Sequence, residues 1–155
     1  MQINLYGTYL WSSAVIHEMI QHRQGKIINL SGAGASPRAY YNAYAVSKAG
    51  VVRLTETLAW EMREYNIQVN AIAPGPVNTR MTKEVVQAGL AAGAEELEGA
   101  KRLLAEGTQP IKAADLAVFL ACSDSDGITG KLISCLLYTS PSPRDGLLSR
   151  IASSA

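Results

Sequence analysis

Tyr44 and Lys48, in the stretch Ala43-Tyr44-Ala45-Val46-Ser47-Lys48-Ala49-Gly50, are the two side chains of this sequence whose types and spacing point most directly to chemistry. On a helix of about 3.6 residues per turn, positions four apart lie on one face, so the phenol and the ammonium project to the same side. A cation within roughly 4–6 Å of a phenol favours the phenolate and lowers a pKa that is ordinarily about 10. A tyrosine in that setting can exchange a proton with an alcohol or a carbonyl oxygen. Tyr and Lys at this spacing also occur on solvated helices that do no chemistry, so the elements around the pair must decide.

Upstream, Met1 to His22 contains no proline, and Leu5, Tyr9, Leu10, Ala14, Val15, Met19 and Ile20 recur at helical spacing, which predicts one long amphipathic helix. Gly7 and Asn4 are poor helix-interior residues and predict a local irregularity near its start. Arg23-Gln24-Gly25 closes the helix, and Lys26-Ile27-Ile28-Asn29-Leu30 reads as a short buried strand ending at Ser31. Gly32-Ala33-Gly34 opens like a phosphate-cradling loop, but Pro37-Arg38 stands where a third glycine opening a helix is needed, so it reads as a strand-to-loop exit.

Asn42 is a good cap for a helix running to about Tyr65, with Ala45, Ala49, Val52, Thr55 or Glu56, and Ala59 as its packing stripe. This places Tyr44 and Lys48 in the first two turns, facing the strand exit that carries Ser31. Ile67 to Ile72 reads as a second strand. The alternation of helix and strand predicts an α/β fold with a parallel sheet and helices on its faces. Pro74-Gly75-Pro76 then falls beyond the carboxyl end of a strand, the edge where open α/β sheets bind ligands. A helical stretch from Met81 to about Leu104, interrupted by Gly89 and Gly93, has the composition of a mobile lid or a solvated connector. Lys112 to Cys122 reads as a further helix, and Ile128 to Ser134 as a turn into a last strand.

The totals narrow the function classes. The chain has 155 residues, 48% of them apolar, the size and composition of one domain with a core. A formal charge of +1 supplies no basic field for nucleic acid and no polybasic face for a membrane surface. Cys122 and Cys135 have no metal-ligand spacing and form no disulfide framework, which fits a reducing, cytoplasmic setting. No apolar run reaches the roughly 20 residues needed to span a bilayer. From Cys135 the text Cys-Leu-Leu-Tyr-Thr-Ser-Pro-Ser-Pro-Arg-Asp resembles a translated transposon-type sequencing adapter, and two prolines argue against a central strand. Residues 1–134 are therefore read as one domain and residues 135–155 as a non-native tail.

Several separated pieces together resemble the short-chain dehydrogenase/reductase family, in its compact branch. They are Asn4 in Asn-Leu-Tyr-Gly-Thr, Ser31 after Ile-Ile-Asn-Leu, Tyr44-Ala-Val-Ser-Lys48, Asn70-Ala-Ile-Ala-Pro-Gly75 with Val77-Asn-Thr79, Phe119-Leu-Ala, and Ile128-Thr-Gly130. The resemblance covers residues 1–134. It implies a doubly wound, Rossmann-like parallel sheet and an oxidoreductase that interconverts an alcohol and a carbonyl with NAD or NADP. Tyr44 would be the general acid/base. Lys48 would lower its pKa and hydrogen-bond the nicotinamide ribose. Ser31 would hold the substrate oxygen, and Asn4 would sit at a helix irregularity supporting a water path for protons. Pro74, Gly75, Val77 and Thr79 would border the nicotinamide, Thr79 on its carboxamide.

The sequence departs from the family pattern in two places. Strand register puts Gly32 where many members carry their serine, counting back from Tyr44 favours Ser31, and Ser36 is a further candidate. The glycine-rich dinucleotide loop and its strands would precede Met1, so Met1 is expected to be internal to a longer coding sequence. The chain alone is then expected to bind cofactor poorly and turn over nothing, and the residue that selects NAD or NADP lies outside it. A homo-oligomer is implied for the full-length protein. Two other readings stand beside this one: an epimerase-type member of the same superfamily, against which Pro74-Gly75 and Ile128-Thr129-Gly130 speak, and a non-catalytic interaction module.

Overall fold

A computed structural model describes residues 1–32, 41–106 and 110–135. The expectations that fall on Gly34, Ser36, Pro37, Arg38 and the stretch 136–155 lie outside the described residues. The elements in order are α1 (Gly7–His22), β1 (Gly25–Leu30), α2 (Asn42–Glu61), β2 (Ile67–Ala73), α3 (Arg80–Ala88), α4 (Ala94–Glu106), α5 (Ile111–Ala121) and β3 (Leu132–Ser134). The sheet order is β1-β2-β3 with both pairings parallel, Ile27 opposite Val69 and Ile72 opposite Ile133. This is the expected α/β architecture, part of a doubly wound sheet.

Alternation along β1 explains the two cores. Ile27 packs with Ile16, Ala59, Ile67 and Val69 on the side covered by α1 and α2. Its neighbour Ile28 points the other way, against the cluster of Ile72, Leu116, Leu120 and Cys135 beneath α5. A strand covered on both faces cannot alternate apolar with polar, and β2 accordingly buries Val69, Asn70, Ala71 and Ile72 in succession.

Buried polar groups in this sheet are satisfied. Asn29 Nδ2 donates to Thr55 Oγ1 at 2.9 Å, and Thr55 Oγ1 donates to the Val51 carbonyl at 2.8 Å. Asn70 is clamped at both ends, with Nδ2 on the Ile128 carbonyl and Oδ1 accepting the Lys131 N–H at 3.1 Å. That clamp holds the turn from Ile128 against β2, where Thr129 Oγ1 accepts the Val69 N–H. Asn70→Ala strands one part-buried carbonyl and one N–H, and is expected to lower unfolding free energy by about 1–3 kcal/mol in urea melts. Close to that turn, Lys26 Nζ reaches the Cys122 carbonyl, Ser125 Oγ at 2.9 Å and Asp126 at 2.7 Å, fixing the end of α5 to the start of β1.

The irregularity expected near the start of the first helix is present: Gln2–Tyr6 form a π-helical turn, with the Tyr6 N–H reaching the Met1 carbonyl and the Gly7 N–H the Gln2 carbonyl. The widened turn rests on α2 at Gly50, where a Cβ would stand 2.8 Å from Leu5 Cδ2, so a residue without one permits the approach. The expected stripe of α2 is corrected in part: Thr55 and Ala59 are buried as expected, together with Ser47 and Val51, whereas Ala49 is exposed and Ala45 and Val52 are half-buried. Ser47 and Thr55 are the reason: their hydroxyls bond to the helix's own carbonyls and so tolerate burial. Finally, α2 ends at Glu61, with a 3₁₀ turn over Arg63–Tyr65 and left-handed Asn66 before β2. Asn42 is itself the first helical residue, its side-chain oxygen accepting the Ala43 N–H.

Beyond β2, the expected breaks in the long helical stretch are present. Gly89 and Gly93 take positive φ on either side of a 3₁₀ turn that separates α3 from α4. Cys135, placed with the tail in the sequence reading, continues the β3 pairing with its N–H on the Ala73 carbonyl and is 3% exposed. Burial pushes its thiol pKa up. Cys122 is exposed, so Ellman's reagent is expected to titrate one thiol rapidly in the native chain and both only after denaturation.

Candidate active site

The first two turns of α2 leave from beside the carboxyl end of β1. Tyr44 and Lys48 project to the same side, with Lys48 Nζ 5.8 Å from the Tyr44 ring centroid. Both are half-buried. Lys48 Nζ donates to the Leu30 carbonyl at 2.9 Å, so the last residue of β1 sets where the ammonium stands. Tyr41 packs edge-on against the Tyr44 ring, with centroids 6.1 Å apart. Among the described residues the Tyr44 hydroxyl has no hydrogen-bond partner, which leaves it available at the mouth of the sheet.

Asn4 joins the group from the π-helical turn. Its Nδ2 donates to Ser47 Oγ at 3.2 Å, and Ser47 Oγ donates to the Tyr44 carbonyl at 2.7 Å. The Asn4 carbonyl accepts the Thr8 hydroxyl at 2.6 Å. Ser47 is fully buried and ties the irregular turn to the backbone that carries the phenol. The sequence reading did not single it out; the signal was a small hydroxyl residue three positions after Tyr44 and next to Lys48.

Ser31 remains in the β ladder, its N–H on the Ile72 carbonyl at 2.9 Å, while its hydroxyl donates to the Lys48 carbonyl at 3.2 Å. It is 3% exposed. The structure thus brings Ser31 to the α2 backbone rather than to the phenol, and Gly32 is the residue that borders Tyr44 Oη.

Pro74, Gly75, Val77 and Thr79 leave the same carboxyl edge from β2. Gly75 has φ 78°, a conformation that favours glycine. Thr79 caps α3 in a reciprocal capping box with Thr82. Its oxygen accepts the backbone N–H, so its own hydroxyl hydrogen stays free to donate. Thr82, a second residue missed in the sequence, is buried and donates to the Val77 carbonyl at 3.0 Å, holding this turn in shape. No hydrogen bond joins this turn to Tyr44 or Lys48 among the described residues.

Desolvation lowers the Lys48 pKa from its ordinary 10.5. The unfolded chain then binds that proton more tightly than the fold does, so the penalty of keeping the ammonium charged is full below the folded value and is relieved as pH rises towards 10.5. Wild-type stability is therefore expected to gain on that of Lys48→Met as pH rises towards 10.5 in paired urea melts.

A family profile described as enoyl-(acyl carrier protein) reductase matches residues 1–135, and the chain belongs to the short-chain dehydrogenase/reductase family of oxidoreductases. It is 34% identical over 134 residues to 3-oxoacyl-[acyl-carrier-protein] reductase FabG of Thermotoga maritima, covering 86% of this chain and 52% of that protein. Among solved structures it is similar to xylitol dehydrogenase with bound NAD+ (28% identity, TM-score 0.74, 85% of this chain and 55% of that one). It is similar also to an actinorhodin polyketide ketoreductase with NADPH (26% identity, TM-score 0.74, 84% and 54%). The chain spans about half the length of the proteins it matches. Among the described residues no helix is long and apolar enough to cross a membrane.

Proposed function

We propose that this chain is the catalytic half of an NAD- or NADP-dependent oxidoreductase that interconverts an alcohol and a carbonyl, with Tyr44 as its general acid/base. The observation that carries the reading is the Tyr44–Lys48 pair at the carboxyl edge of β1, an ammonium 5.8 Å from the ring of a phenol whose hydroxyl has no hydrogen-bond partner among the described residues. In reduction Tyr44 gives its proton to the carbonyl oxygen; in oxidation it takes the hydroxyl proton. Lys48 sets an ammonium beside the ring, held there by the Leu30 carbonyl.

The residues present fit the nicotinamide end of such a cofactor. Lys48 uses one of its three donors on Leu30, which leaves others for ribose hydroxyls. The Pro74-Gly75-Pro76-Val77 turn and the Thr79 hydroxyl would flank the ring and its carboxamide. When bound, the nicotinamide supplies the hydride exchange. Asn4 and Ser47 hold the π-helical turn against the Tyr44 backbone, the position from which protons would be relayed to solvent. Ser31 holds the Lys48 carbonyl and thereby the first turns of α2.

In the full-length enzyme this chain would be preceded by a dinucleotide-binding half. Trp11 and Leu10 on α1 and Val46 and Trp60 on α2 are exposed, which supports self-association of that protein. Two free thiols support a reducing, cytoplasmic compartment. Residues 136–155 are proposed to be a non-native tail. The test is titration of NADH and NADPH by fluorescence into the 155-residue chain and into the full-length enzyme. Only the latter is expected to bind and to oxidise the cofactor with a carbonyl present, read near 340 nm. Binding and turnover by the short chain would overturn the division into halves, and a full-length protein that oxidises no cofactor with any carbonyl would overturn the assignment of activity.

A further inference from the structure

We propose that Tyr41 is a positioning residue of this site: its ring, packed edge-on against that of Tyr44, holds the phenol in the orientation from which it exchanges a proton. The inference rests on the oxidoreductase reading and adds to it what keeps the reacting group in place before a substrate arrives.

Tyr44 is three residues after Tyr41 and four before Lys48, the spacings at which side chains meet along one side of a helix. Tyr41 is the residue from which α2 starts, with φ −114° and ψ 24°, and its carbonyl accepts the Ala45 N–H at 2.7 Å. Both rings therefore grow from one hydrogen-bonded turn, and both are half-buried. Their centroids are 6.1 Å apart with the planes at 69°, the edge-to-face arrangement that aromatic pairs prefer.

The Tyr44 hydroxyl has no hydrogen-bond partner among the described residues, and the χ2 torsion of a tyrosine is broad. The orientation of the ring is therefore set by what meets its faces and edges. The Lys48 ammonium, 5.8 Å from the centroid, is one such neighbour and is itself tied to the Leu30 carbonyl. At the hydroxyl end stands Gly32, which has no side chain to confine the ring. Tyr41 supplies the one ring–ring contact that Tyr44 makes among the described residues. Such a pair favours one arrangement over others by roughly two- to tenfold. A misplacement of about 1 Å in a reacting group can lower turnover by about 100-fold. A phenol released from Tyr41 keeps its proton and its neighbour Lys48 but spends less of its time in the productive orientation.

The experiment uses the full-length enzyme and its Tyr41→Phe, Tyr41→Leu, Tyr41→Met and Tyr44→Phe variants. The substrate is benzaldehyde, or the first of a panel of aldehydes and ketones that the wild type turns over, with NADH or NADPH. Tyr41→Leu and Tyr41→Met are expected to lower kcat by about tenfold or more with both KM values within about threefold of wild type, since binding is kept and the reacting group is no longer held. Tyr41→Phe, which keeps the ring, is expected to stay within about threefold of wild type in kcat and KM alike. A readout free of turnover accompanies these. In enzyme labelled only at its tyrosine rings, the Tyr44 ring-proton resonance, assigned by its loss in Tyr44→Phe, is expected to move when the ring at position 41 is removed and to stay in place in Tyr41→Phe. Unchanged kcat or an unmoved Tyr44 resonance in Tyr41→Leu and Tyr41→Met would overturn the proposal. So would a loss in Tyr41→Phe as large as theirs, which assigns the effect to the Tyr41 hydroxyl, or a loss of fold in both ring-free variants, which assigns it to stability. A Tyr44→Phe variant that retains turnover, or a wild type active on no carbonyl, overturns the functional reading itself.

Discussion

Tyr44→Phe in the full-length enzyme is expected to lower kcat by about 100-fold or more while leaving cofactor binding and thermal stability near wild type. The ring keeps its edge contact with Tyr41 and its place beside Lys48, since neither depends on the hydroxyl. What is lost is the group proposed to exchange the proton, and a positioned general acid or base contributes typically about 10²–10⁴-fold. The hydroxyl has no hydrogen-bond partner among the described residues, so its removal strands no buried donor or acceptor there, and the change in unfolding free energy should stay within about 0.5 kcal/mol. Steady-state kinetics paired with denaturant melts separates the two effects. A loss of turnover matched by a loss of fold would deny the catalytic role, as would a kcat within a few-fold of wild type.

Ile72→Ala is expected to cost about 2–5 kcal/mol of unfolding free energy, the range for removing a fully buried aliphatic side chain. Ile72 is 0% exposed, pairs with Leu30 and Ile133 across the sheet, and packs with Leu116, Leu120 and Cys135. The consequence reaches the site. Its carbonyl receives the Ser31 N–H, and two residues later the chain turns at Pro74, so Ile72 anchors both sides of the carboxyl edge. A domain with a total stability of about 5–15 kcal/mol has little reserve against such a loss. Ile72→Val, expected to cost about 0.5–1.5 kcal/mol, keeps the comparison measurable if the alanine variant fails to fold. Val118→Ala, on the exposed side of α5, is expected to change stability by no more than about 0.5 kcal/mol. Similar effects at positions 72 and 118 would show that the second core is not closed.

Much of the arrangement was legible because local chemistry and period agree. Tyr44 and Lys48 share a helical face through spacing alone, and the apolar run ending at Leu30 and the proline turn at Pro74 mark two strand ends on one edge. Gly7 and Asn4 announced an irregular helix start. Its π form was not legible, because it answers to Leu5 against Gly50 and Asn4 against Ser47, partners more than 40 positions away. The buried stripe of α2 was placed only in part for a related reason. Thr55 and Ala59 were read correctly, but counting small and apolar residues favours Ala45, Ala49 and Val52 for its other members, whereas the face that packs carries Ser47, whose hydroxyl bonds locally and is thereby made compatible with burial, and Val51. The choice between residues 31 and 32 depends on where the ladder with Ile72 stops, and that is a property of pairing that no single strand reports.

The measurement that bears most directly on the account is the pH dependence of alcohol oxidation by the full-length enzyme with a fluorinated tyrosine in place of Tyr44. Fluorination makes the phenol more acidic without removing it, and the acid limb of a kcat/KM profile reports the group that accepts the substrate proton. The account predicts that this limb moves to lower pH with Tyr44 fluorinated and stays in place when Tyr65 is fluorinated instead. Activity retained with a limb that does not move would show that the proton leaves through another group, contradicting the role assigned to Tyr44.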